Sequence, residues 1–144
     1  RSSDLNLGDE LGTLNDPSYV YDPELAADSR WIHRPRFDWK RAERRTEPGT
    51  VEARIHGGLA AMAWHRRSLP QLRGCATYVP RDVGNDHVYV TDVAGGSLVV
   101  VANFTAAPQP VRWHEQAGVD VLTGRQVAPT TTLEPYELLW ITPG

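Results

Sequence analysis

The chain has a single cysteine, Cys75, which excludes a disulfide within it. No apolar run approaches the ~18 residues that a membrane-crossing helix needs, so no membrane partner is expected. The first residues lack the charged-then-apolar layout of a secretory signal, and a cytoplasmic location is the resulting expectation. An excess of basic charge is missing too. The net charge is −3; residues 1–72 carry 11 basic and 11 acidic side chains, residues 73–144 carry 4 and 7. That balance lacks the electrostatic footprint of a nucleic-acid binder. The densest basic cluster, Arg41, Arg44 and Arg45, is interrupted by Glu43 and reads as a solvated face, not a phosphate site. Cys75, among small and apolar neighbours, reads as a buried, inert thiol. Neither an internal repeat nor a low-complexity segment is present.

What is present is distributed unevenly. With 144 residues, 40% apolar and 23% charged, the composition is that of a globular domain. Up to about residue 48, however, no helical or strand period persists. The aromatics Trp31, Phe37 and Trp39 argue against a disordered tail. A long loop laid against another surface accounts for both features.

Residues 50–68 predict a helix. Thr50 is the expected N-cap, Val51, Ile55, Leu59 and Met62 fall on one face, and Pro70 prevents continuation. Gly57 and Gly58 weaken that helix and suggest close packing against a neighbouring backbone. From residue 73 onward the pattern is all-β. Candidate strands are 75–79, 87–92, 97–103, 109–114, 119–122 and 133–142, separated by Gly84-Asn85-Asp86, Gly95-Gly96, Pro108, Gly124 and Pro129. The run Leu98-Val99-Val100-Val101 predicts a strand covered on both faces. The expected organisation is therefore mixed: a loop and helix over 1–72, then an antiparallel β-sandwich over 73–144.

Two motifs carry a resemblance. Gly8-Asp9-Glu10-Leu11-Gly12-Thr13-Leu14-Asn15-Asp16 is similar to the segment after the eighth barrel strand in glycoside hydrolase family 13, the α-amylase family. Asp28-Ser29-Arg30-Trp31-Ile32-His33-Arg34-Pro35 resembles the amylosucrase-type members, and Val101-Ala102-Asn103-Phe104 with Leu133-Glu134-Pro135-Tyr136 and Trp140 resembles the family's C-terminal sandwich. The resemblance implies that residues 1–72 are the last loop and helix of a (β/α)8 barrel, and that residues 73–144 are a Greek-key sandwich of the α-amylase C-terminal type. It calls for an apolar eighth strand before Gly8, where residues 1–7 are instead polar.

The implied reaction is retaining glucosyl transfer from sucrose to an α-glucan, without a cofactor. Such chemistry needs two carboxylates about 5 Å apart. By the resemblance these lie upstream of Gly8, so the chain by itself is expected to be inactive, with no catalytic residue and no metal site of its own. Asp9 and Glu10, if on a strand, would face opposite ways and could not form the pair. The resemblance implies substrate binding by Arg30, with Asp16 and His33 as further candidates. A guanidinium offers sugar hydroxyls or a carboxylate a rigid fork of donors. An ion pair with Asp28 is the other role open to Arg30. His56 and His65 lack metal-ligand companions, and Trp31 reads as a buried loop anchor. Two alternatives stay open: a sucrose hydrolase or other α-amylase-family hydrolase, and a non-catalytic β-sandwich module that binds carbohydrate or is purely structural. For the latter, Tyr78, Tyr89, Trp113, Tyr136 and Trp140 are the available aromatics.

Overall fold

A computed structural model describes residues 8–144; the polar stretch 1–7, with the question of an eighth strand, lies outside them. The described residues divide into two compact units, one up to Ala61 and the other Met62–Gly144.

The first unit is a succession of short turns, and aspartates explain them. Asp16 accepts a hydrogen bond from Ser18 N–H at 2.9 Å, Asp22 from Glu24 N–H at 2.9 Å and Asp28 from Arg30 N–H at 3.0 Å. Asp38 accepts from Arg41 N–H at 3.1 Å and caps α1 (Trp39–Glu43). Each short carboxylate satisfies an orphan amide and starts a 3-10 or α turn that ends within five residues. A helical period therefore never runs long enough to be read. Asp9 and Glu10 lie in the 3-10 turn Asp9–Leu11, not on a strand. The Glu10 carboxylate folds back to accept from Gly8 N–H at 2.9 Å.

Gly8, Leu11, Ala42 and Glu52 are the buried residues of this unit among those described. A buried carboxylate requires a partner, and Arg41 supplies it: Nε donates to Glu52 Oε1 at 2.6 Å, while Nη2 donates to the carbonyls of Leu11 and Gly12 at 3.3 and 3.1 Å. Arg44 Nη2 lies 3.7 Å from Glu52 Oε2. The basic cluster expected to be a solvated face is thus partly an internal latch. Its guanidinium holds the Glu52 carboxyl below its ordinary range.

Helix α2 (Val51–Ser68) starts as expected, with Thr50 Oγ1 accepting from Ala53 N–H at 3.1 Å. Its apolar face is only partly covered: Val51 is exposed, while Ile55, Leu59 and Met62 are half-buried. A Cβ at Gly57 or Gly58 would meet open space, so the close packing expected there is not present among the described residues.

The second unit contains eight strands: β1 (Tyr78–Arg81), β2 (Val88–Val93), β3 (Leu98–Asn103), β4 (Gln109–Arg112), β5 (Gly118–Asp120), β6 (Gln126–Val127), β7 (Thr130–Leu133) and β8 (Leu138–Pro143). They form a six-stranded sheet of order β1-β2-β3-β8-β5-β6 and a two-stranded sheet β4-β7, with every pairing antiparallel. The sandwich expected from the turn spacing is the observed fold. Its core takes Val88, Val90, Val99, Val101, Leu139 and Ile141 from the large sheet and Val111 and Leu133 from the small one, around Trp113. Trp113 is fully buried and donates from Nε1 to Ala128 O at 2.6 Å. Leu98 and Val93, on the opposite face from Val99 and Val101, are also fully buried, as the apolar run in β3 predicts.

Three local expectations change. The long strand over 133–142 is two strands in different sheets. Pro135 has no N–H to donate, Tyr136 takes φ 59°, and the chain crosses from β7 to β8 there. The strand expected at 75–79 begins only at Tyr78, which leaves Cys75 outside it and exposed, not buried. His87 and His114 flank strands instead of lying on them. In β5, the buried Asp120 carboxylate accepts from Trp140 N–H at 2.9 Å, Leu122 N–H at 3.3 Å and Thr123 Oγ1–H at 2.6 Å, so neutral donors satisfy it.

Candidate functional site

The irregular segment of the first unit folds back on itself through one backbone bond. Asp16 N–H donates to Ile32 O at 2.9 Å, and beside it His33 Nδ1 lies 3.0 Å from Asn15 Oδ1. The Gly8–Asp16 motif and the Asp28–Pro35 motif are thereby held against each other. Two of the three sequence-derived binding residues, Asp16 and His33, come into one neighbourhood.

Beside that junction lies an open concavity of about 490 Å³, lined among others by Asp16, Tyr19, Trp31, Arg34 and Arg36. Asp16 is part of its wall; Arg30 and His33 are not. Trp31, expected as a buried anchor, is half-buried and lines the concavity. Hydrogen bonds from the hydroxyl and backbone N–H of Ser18 hold the Asp16 carboxyl below its ordinary range, so it is a charged acceptor and not a general acid.

Arg30 takes the alternative role open to it. Nε donates to Asp28 Oδ1 at 2.8 Å and Nη2 donates to Oδ2 at 2.7 Å, a bidentate fork whose guanidinium is largely exposed. The Asp28 carboxyl is lowered to about 2, first by the Arg30 side chain and then by Arg30 N–H. Arg30 is raised by the same partner. The pair pre-orients the guanidinium plane while leaving its outer edge open to solvent.

Tyr19, Arg34 and Arg36 were not picked out as site residues from the sequence. A faint signal existed: Arg34-Pro35-Arg36 follows His33 directly, and a residue before proline is kept out of the helical region, which ends the turn at His33. Among the described residues, no group of three or more His, Cys, Asp or Glu side chains is arranged to hold a metal. No described helix is long and apolar enough to cross a membrane.

The fold is that of an antiparallel β-sandwich with a helical segment before it. Two solved structures share it. One is a variant of AmyP in complex with maltotriose, 20% identical, with a TM-score of 0.53, covering 69% of this chain and 23% of that one. The other is AmyP in complex with maltose, 20% identical, with a TM-score of 0.52, covering 68% and 22%. The chain therefore spans under a quarter of AmyP's length, and the likeness is one of fold. No protein-family model matches the chain.

Proposed function

We propose that this chain is the C-terminal part of a retaining α-glucosyl-transferring enzyme of amylosucrase type. In this reading it supplies one wall of a sucrose pocket and the appended sandwich, and the nucleophile and acid/base carboxylates come from elsewhere in the enzyme. The observation that carries the reading is the junction of Asn15-Asp16 with Ile32-His33, which gathers Asp16, Trp31 and Arg34 around one concavity. An aromatic face, a charged acceptor and guanidinium donors are what a hexose needs from one side. Asp16 is proposed to accept from sugar hydroxyls within the concavity, and Arg30, outside its wall and pre-oriented by Asp28, to reach the terminal glucosyl unit with its exposed guanidinium; His33 is proposed as a further binding residue at the junction. Sucrose is the proposed donor and an α-glucan the acceptor; AmyP, whose fold supports the reading, has been crystallised with maltose and maltotriose.

Fructose release from sucrose, with glycogen as acceptor, tests this. The 144-residue chain alone is expected to be inactive, and turnover by it would overturn the proposal. When the chain is extended by its own upstream coding sequence, turnover is expected, and Arg30→Ala should lower it on the order of 10²-fold. A fully active Arg30→Ala enzyme would remove Arg30 from the pocket.

A further inference from the structure

The unit-one concavity is lined from two segments, and one side-chain bond ties them together. Asp16 and Tyr19 come from the first segment, with the turn Pro17–Tyr21; Trp31 and Arg34 come from the second, with the turn Ser29–His33. The backbone joins them once, where Asp16 N–H donates to Ile32 O at 2.9 Å. The Asp16 carboxylate is used within its own turn, accepting from Ser18 N–H at 2.9 Å. Among the described residues, the side-chain bond between the segments is that of His33 Nδ1 with Asn15 Oδ1, at 3.0 Å. Each partner adjoins a lining residue in sequence: Asn15 precedes Asp16, and His33 precedes Arg34. Neither lines the concavity itself.

Two physical consequences follow from that bond. A single hydrogen bond between two segments leaves them free to swing about it, and a second bond beside the first removes that freedom. The bond also fixes the imidazole. An amide oxygen accepts and cannot donate, so Nδ1 carries the proton, and in the neutral ring Nε2 is then the acceptor. Which ring nitrogen is protonated is set by such a partner. Asn15 therefore holds both the orientation and the tautomer of His33.

We infer that Asn15 is a positioning residue, acting through His33 to hold the Asp16 segment in register with the Trp31–Arg34 segment. The inference rests on the proposed function in one respect, the identity of the ligand held between them, the glucosyl unit of sucrose. A sugar that contacts both segments binds well when their spacing is fixed in advance, and loses affinity when they can swing. Asn15 lies outside the lining, so its removal should act on KM and leave kcat nearly intact. Asn15 and His33 are both exposed, so the effect should have the scale of one exposed hydrogen bond, about fivefold.

The test has one arm that needs no activity. In the 144-residue chain, long-range ¹H–¹⁵N correlations of the His33 ring at about pH 8 should show the proton on Nδ1. Asn15→Ala should move that proton toward Nε2 and speed exchange of the Asp16 amide about fivefold. Asn15→Asp keeps an oxygen acceptor and should preserve both properties. The second arm uses the chain extended by its own upstream coding sequence. There Asn15→Ala should raise KM for sucrose about fivefold with kcat within about twofold, and Asn15→Asp should restore KM. In a His33→Ala background, Asn15→Ala should leave KM where it is. A parent ring protonated on Nε2 would overturn the inference. So would Asp16 exchange that ignores Asn15→Ala, an unchanged KM, or the same rise in KM without His33. If the extended parent releases no fructose from sucrose, the sucrose reading falls, and the ring proton and amide exchange still decide the role of Asn15.

Discussion

Asn103, the last residue of β3, donates from Nδ2 to the carbonyl oxygen of Glu134 at 2.9 Å, and so ties the end of a central strand to the point where the chain leaves one sheet for the other. The same nitrogen donates to Ala107 O at 2.8 Å, and Oδ1 accepts from Thr105 N–H and Thr105 Oγ1–H, both at 2.9 Å. The side chain is buried with its hydrogen-bonding capacity met, and the sandwich's crossover depends on it.

Asn103→Ala should therefore destabilise the second unit by roughly 2–3 kcal/mol, because two carbonyls and a buried amide lose partners. Asn103→Asp should cost at least as much near neutral pH, since its carboxylate would face the carbonyls of Ala107 and Glu134. Urea unfolding followed by tryptophan fluorescence reads both. An aspartate variant as stable as the parent would show that the carbonyls are not held as described.

Gly12 is required for two reasons. Its φ is 63°, and a Cβ there would overlap Ile55 Cδ1 on α2. Gly12→Ala is expected to cost roughly 1–2 kcal/mol, chiefly for the backbone, with a smaller part for moving the free end of the Ile55 side chain aside. Only the overlap is removable, so a double-mutant cycle with Ile55→Ala should give a favourable coupling on the order of 1 kcal/mol. Strictly additive effects would mean that the glycine does not pack on α2.

Asp28 provides a pH signature. Its folded pKa is lowered from 3.8 to about 2, chiefly by the Arg30 side chain. A carboxyl depressed on folding contributes stability above its unfolded pKa and loses that contribution as pH falls through the folded value. The turn at Ser29–His33 should thus hold at pH 4 and loosen as pH approaches about 2. The carboxyl ¹³C titration of Asp28 reports this, and Arg30→Ala should raise its midpoint toward the ordinary aspartate range. An unchanged midpoint would deny the fork.

Cys75 lies outside β1 and is exposed. A thiol-specific reagent should modify it in the native protein at a rate that denaturant barely changes. Protection that is lost only on unfolding would restore the buried reading of this thiol.

The predictions differ in where their grounds could be read. The Asn103-Phe104 and Glu134-Pro135-Tyr136 motifs were visible in the chain, but their joining was not, since it spans residues 31 positions apart in sequence. The Arg41 cluster looked like a solvated face because local charge spacing cannot report that Glu52, 11 residues on, becomes buried and needs a cation. Arg34 and Arg36 were overlooked because a concavity is a property of two segments brought together, here by Asp16 and Ile32.

By itself the sequence determined the all-β character of the second unit, the capped start of α2 at Thr50 and the two-sided burial of β3. Each follows from local rules: alternation of apolar residues, a hydroxyl aligned with free amides, and a continuous apolar run. It also placed Asp16, Asp28 and Asp38 where their carboxylates would start turns. Only the tertiary structure decided that residues 133–142 serve two sheets, that Arg30 forks onto Asp28, and that Asp16, Trp31 and Arg34 share one concavity. Those outcomes depend on which distant groups compete for the same donor, acceptor or space, and no local pattern encodes that competition.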